Sequence, residues 1–283
     1  MVPLGLDSEG NAMTMPGTPT LLLIHGFLDD ESVWDGLVES LGGEVDTVSY
    51  DLPGFGSRSH AVAEALGATL DSLANEASGF VEEIEGPVIV VGQSLGAQVA
   101  ELVASRHPDE AHGLVLITPV PLGGTQMPDE VLAPFRALGG DRVAGRTVRA
   151  QLSPHIGEEL LYRLAAIGLP VSADVTAHYA DMWNTGIPTA PATSAFDGPV
   201  LIIRGGADGF VDQQLVATIA PRFPQAEVKV IDRGGHWVHA ECPGAVAAMI
   251  LDFADTVPFP PRSTRPGHIR PAASLAPVSK ETT

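Results

Sequence analysis

Six short apolar runs, each followed by a helix-compatible stretch, constrain the fold of this 283-residue chain more than any other feature. They fall at 21–24, 45–50, 88–91, 113–118, 200–204 and 227–231, and amphipathic spacing between them predicts helices at 32–41, 61–84, 95–106, 213–220 and 243–254. Runs that are apolar at nearly every position suit strands covered on both faces. Repeated strand–helix units imply a mostly parallel sheet with helices on both sides. The rhythm breaks between Pro119 and Phe196, where helical periodicity interrupted by Gly and Pro replaces it. The expected organisation is a short N-terminal segment (1–18), a core in two pieces (19–121 and 197–256), a helical lid over the strand ends (122–196) and a Pro-rich flexible tail (257–283).

Composition narrows the partners. A net charge of −20 argues against nucleic acid and anionic membranes. The single cysteine, Cys242, rules out an internal disulfide framework. The first residues carry neither a basic start nor a signal-length apolar block, and no run is long enough to span a bilayer. A cytoplasmic protein acting on a small molecule is the expectation.

The third run ends in Gly92-Gln93-Ser94-Leu95-Gly96-Ala97 and opens a helix. In that setting Gly-x-Ser-x-Gly describes a tight strand-to-helix turn. Only small residues fit beside the serine, whose hydroxyl is pushed out at the top of the sheet. The helix N-terminus below it offers free N–H groups to a developing negative charge. Ser94 is therefore the expected nucleophile.

A serine hydroxyl needs a base, and the base needs an orienting acid. His236, in the loop Arg233-Gly234-Gly235-His236-Trp237 after the last run, is the expected base. Asp208, in Gly205-Gly206-Ala207-Asp208-Gly209 after the fifth, is the expected acid. Its rival Asp212 opens the next helix, where aspartate commonly serves as a cap. No carboxylate follows the fourth run until Asp129, which strengthens Asp208. The backbone N–H groups of Leu95 and Phe27 are the expected oxyanion donors, with His25 bracing the Phe27 loop.

These pieces resemble the α/β-hydrolase fold superfamily in its lidded branch. The matching residues are His25-Gly26-Phe27 with Trp34, Asp51-Leu52-Pro53-Gly54-Phe55-Gly56-Ser57, Gly92 to Gly96, Gly206-Ala207-Asp208 with Val211, and Gly235-His236 through Glu241-Cys242-Pro243. The resemblance implies a sheet of about eight strands, of which the six runs are the third to the eighth, with the lid after the sixth. The stretch before Leu21 is short for two more strands, and Ala97 stands where a second glycine is often found. Serine at position 94 excludes the branch that uses an aspartate nucleophile, the epoxide hydrolases and haloalkane dehalogenases.

Substrate choice falls to the lid and the strand-end loops. Met127, Phe135, Tyr162, Met182, Trp183, Phe210, Val211 and Trp237 are the apolar candidates, and Trp183, Val211 and Trp237 are the expected pocket residues. Arg136, Arg142, Arg146, Arg149 and Arg163 have acidic neighbours and read as solvated helix faces. A serine esterase for a neutral, mainly apolar carboxylic ester follows, with no metal and no cofactor. Lactone opening, C–C hydrolysis, perhydrolysis and acyl transfer use the same triad. A ligand-binding protein on the same fold is the non-enzymatic alternative.

Overall fold

The computed structural model describes residues 18–259. The strands are β1 (Thr20–Ile24), β2 (Asp46–Tyr50), β3 (Val88–Gln93), β4 (Ala111–Ile117), β5 (Val200–Gly205) and β6 (Ala226–Ile231). The α-helices are α1 (Asp35–Leu41), α2 (Val62–Gly67), α3 (Leu70–Glu83), α4 (Leu95–Arg106), α5 (Asp129–Arg136), α6 (Arg142–Leu152), α7 (Glu158–Ile167), α8 (Ala173–Thr185), α9 (Gln213–Ile219), α10 (Val238–Glu241) and α11 (Pro243–Thr256). All strand pairs are parallel, in the order β2-β1-β3-β4-β5-β6.

Alternation along the strands sorts side chains into two cores. Leu22, Ile24, Val90, Leu114, Leu116 and Ile202 face α3, α4 and α9. Leu21, Leu23, Ile89, Val91, Val115, Ile117, Leu201 and Ile203 face α1 and α11. Burying each such side chain contributes about 1.5–3 kcal/mol, which is why the inner strands tolerate almost nothing polar. Val228 and Val230 of β6 are exposed, as suits an edge strand.

Three expectations change here. The sheet of the described residues has six strands, not eight, and two preceding strands would fall in residues 1–17, outside the described residues. The helix expected at 61–84 is two helices, because Thr69 accepts a hydrogen bond from the Ser72 amide and starts a new one. Val257 is buried and Phe259 packs beside it on the α11 face, so the first residues of the expected tail belong to the core. Its remainder, 260–283, lies outside the described residues.

Between β4 and β5 the chain forms α5 to α8, with α5 packed on α8 and α6 on α7. Among the described residues no helix is long and apolar enough to cross a membrane.

The strand order reverses at β1 and β3, the place where open α/β sheets leave a crevice at their carboxyl ends. Ile24 pairs with Gly92, Gln93 with Ile117, Ile117 with Ile203, and Gly205 with Ile231. This register sets the loops after five strands side by side.

Candidate active site

Ser94 sits between β3 and α4 at φ +53°, ψ −116°, a backbone conformation that non-glycine residues rarely adopt and that costs about 1–3 kcal/mol. Close packing enforces it. A Cβ on Gly92 would lie 2.2 Å from the Gly96 carbonyl oxygen, and one on Gly96 would lie 2.2 Å from that of Ile24. The Ser94 amide donates to Ile117 O at 3.0 Å, and its carbonyl accepts from the Ala97 amide at 3.0 Å.

His236 and Asp208 meet across the β5 and β6 loops, with Nδ1 of the imidazole 2.9 Å from Oδ2 of the carboxylate. The other carboxylate oxygen accepts from the amides of Phe210 (2.7 Å) and Val211 (3.0 Å), so the acid is held at both ends. The His236 carbonyl accepts from Thr118 Oγ1 (2.9 Å) and Gln93 Nε2 (3.2 Å), which fixes the His236 loop to the ends of β4 and β3. Asp212 instead caps α9 through the Leu215 amide at 2.8 Å.

Ser94 and His236 line one cavity together with Phe27, Leu28, Asp29, Gln93 and Trp237 of the core. The insertion adds Phe135, Leu138, Val148, Arg149, Leu152 and Trp183 to its wall. It spans about 440 Å³, part of it open to solvent. The walls are aromatic and interlocked. Trp183 lies edge-on to Phe27, Phe135 and Phe210, with ring centroids 6.2, 5.5 and 5.6 Å apart. Of the expected pocket residues, Trp183 and Trp237 line the cavity. Val211 does not: it is fully buried in the core, and its amide is taken by Asp208.

His25 holds the loop that carries Phe27. Its Nε2 accepts from the Leu52 amide at 3.0 Å, so Nδ1 carries the proton and donates to Gly26 O at 2.8 Å. In a trans peptide the Phe27 N–H points opposite to that carbonyl. Burial keeps the His25 imidazole below its ordinary pKa, consistent with a neutral ring in this role. Leu95 opens α4, so its amide has no carbonyl within the helix to bond.

Arg149 overturns a sequence expectation. It is not on a solvated face: it is 2 % exposed and lines the cavity. Its Nη2 donates to Leu28 O at 2.6 Å and to Asp29 Oδ1 at 3.3 Å, while Asp29 Oδ2 accepts from Trp237 Nε1 at 2.8 Å. Burial pulls the guanidinium pKa down and pushes that of the carboxyl up, and each is partly restored by its partner. Arg146 and Arg136 do form peripheral ion pairs, with Glu158 and Asp181 respectively.

Near the His236 loop, His239 is fully buried against Trp34, with centroids 4.5 Å apart, and neither ring nitrogen has a partner among the described residues. Burial, aided by His236, lowers its pKa from 6.5 to about 3. Between those values the unfolded chain binds a proton that the folded one does not. Stability from this group is therefore full above pH 6.5 and is lost as pH falls toward 3, by roughly 1.4 kcal/mol per pH unit. His239→Phe is expected to flatten the acid side of the stability curve by about that slope, measured by urea unfolding between pH 4 and pH 7. An unchanged slope would refute the assignment.

A doubly wound sheet with a serine turn at its reversal point defines the class of protein. The chain belongs to the alpha/beta hydrolase family, whose model matches residues 21–249. It is 30% identical over 237 residues to the pimeloyl-[acyl-carrier protein] methyl ester esterase of Cronobacter sakazakii, covering 79% of this chain and 88% of that protein. It is 26% identical to the esterase YbfF of Escherichia coli, covering 82% and 92% respectively. An esterase from Thermogutta terrifontis has the same fold, with a TM-score of 0.67 at 23% identity over 84% of this chain and 90% of that one.

Proposed function

We propose that this carboxylic ester hydrolase works through an acyl-enzyme formed on Ser94, with His236 as general base and Asp208 as its orienting acid. The observation that carries the reading is the 2.9 Å contact between His236 and Asp208 at the wall of the cavity that also holds Ser94. With Nδ1–H engaged by Asp208, Nε2 is left to take the serine proton. The Phe27 and Leu95 amides stabilise the oxyanion, each worth about 3–4 kcal/mol in the transition state. The same imidazole then protonates the leaving alcohol and activates the water that releases the acid.

The substrate is a neutral, mainly apolar ester. Arg149 and Asp29 offset one another, and the rest of the wall is largely aromatic and aliphatic. Residues 122–196 act as the lid. Aromatic rings crowd the cavity wall, so small acyl groups enter most readily. Lactones fit the same reading as a second substrate class, because a closed apolar wall suits a compact cyclic ester.

A pre-steady-state burst of p-nitrophenol from a p-nitrophenyl ester, equal to the enzyme concentration, tests the acyl-enzyme. Tight binding of an apolar ligand without turnover would favour a ligand-binding protein. Trp183→Ala is expected to shift preference toward longer acyl chains by about tenfold in kcat/KM, since it removes the ring on which three others rest. A graded series from acetate to octanoate measures it.

A further inference from the structure

The end of α6 meets three separate loops of the site. Arg149 donates to Leu28 O, one residue beyond the Phe27 amide, and Leu28 itself is held at φ +60°. The Leu152 carbonyl accepts from the amide of Gly209 in the acid loop (3.1 Å) and from that of His236 in the base loop (3.2 Å). Ser153 Oγ accepts from the same His236 amide at 2.9 Å and donates to Glu241 Oε1 at 2.7 Å. Glu241 in turn takes the amides of Gly235 (3.0 Å) and Trp237 (3.1 Å) on either side of the histidine. Ser153 is fully buried.

The loops are shaped for this contact. A Cβ on Gly209 would lie 2.6 Å from Gln151 O, and one on Gly235 would lie 2.3 Å from Ser153 Oγ. Both loops lack a side chain at the points where the end of α6 approaches. A lid that swung as one body would release the Gly209 amide and leave the buried His236 amide without either of its partners, the latter at a cost of about 1–3 kcal/mol.

We propose that Arg149 to Ser153, although carried by the helical insertion, form a fixed clamp that sets the oxyanion, acid and base loops relative to one another, with Arg149 and Ser153 as positioning residues. This rests on the triad reading above. Arg149 holds the chain next to the Phe27 amide, and Ser153 holds the His236 amide while Thr118 holds the carbonyl of the same residue. Entry of substrate then involves movement elsewhere in the insertion, while this turn stays in place.

Two experiments on the full chain decide it. Amide hydrogen exchange followed by NMR is expected to show Gly209 and His236 exchanging as slowly as Val90 of β3, only through global unfolding. Fast exchange of these two amides, at a rate shared with α6, overturns the clamp. In kinetics with p-nitrophenyl acetate, Ser153→Ala and Arg149→Met are expected to lower kcat about 10- to 100-fold with KM within about twofold, as misplacement of reacting groups does. Ser153→Thr and Arg149→Lys recover part of the loss. Folded variants that keep kcat within twofold overturn the proposal, and if the variants do not fold, the exchange result decides. An Arg149→Met defect confined to the KM of carboxylate-bearing esters also overturns it and makes that residue a substrate-binding group. Ser94→Ala run alongside separates the two levels: an active Ser94→Ala sinks the triad, whereas a dead Ser94→Ala beside a fully active Ser153→Ala sinks only the clamp.

Discussion

Ser94→Ala is expected to lower the turnover of a p-nitrophenyl ester by about six orders of magnitude, the loss that follows from deleting the nucleophile of the interdependent triad proposed above. The fold survives, because the serine's backbone supplies the hydrogen bonds to Ile117 and Ala97 and alanine keeps them. Alanine does not relieve the strain either, since φ +53° is unfavourable for any residue with a Cβ. The variant should therefore unfold at nearly the same temperature. A residual rate about 10³–10⁴ above that in water remains if the Phe27 and Leu95 amides still polarise a bound carbonyl. A fluorophosphonate that adds to the native chain and not to the variant, seen by intact mass, ties the loss to this hydroxyl. Labelling of both would move the nucleophile elsewhere.

Asp208→Asn is expected to cost about four orders of magnitude in kcat with little change in stability. The asparagine carbonyl can keep the amides of Phe210 and Val211, which anchor the loop. Its NH₂ then faces the imidazole where a carboxylate stood, and a donor there demands an unprotonated Nδ1. The proton moves to Nε2, the nitrogen that has to accept from serine, and the base is lost with the geometry intact. Asp212→Ala is the control. It removes the cap of α9, costs about 1 kcal/mol of stability and leaves the rate untouched. Near-normal turnover in Asp208→Asn would assign the acid to another group.

The strands were legible because parallel strands packed on both faces need apolar side chains at almost every position, and little else in the chain produces such runs. The serine turn was legible for a related reason: Gly92 and Gly96 are dictated by contacts within a few residues or with the neighbouring strand. The division of the 61–84 helix was written in Thr69 and Ser72, a capping pair easily overlooked because the usual glutamate is absent.

Arg149 was not legible. Its spacing from Arg142 and Arg146 traces a helix face that reads as solvated, and its carboxylate partner is 120 residues away. Nothing in a local window distinguishes such a buried guanidinium from a solvated one. Ser153 was hidden for the same reason, since its partners belong to the far end of the chain. Val211 failed in the opposite direction. An apolar residue beside the acid looked like a wall, but Asp208 draws its amide inward and the side chain follows into the core.

The chain has three tryptophans, and their placement gives the protein an optical signal of its own. Trp183 and Trp237 line the cavity, whereas Trp34 is buried in the core away from its wall. Occupancy of the cavity therefore perturbs two indoles against one steady background, and intrinsic fluorescence follows ligand entry in real time without a label.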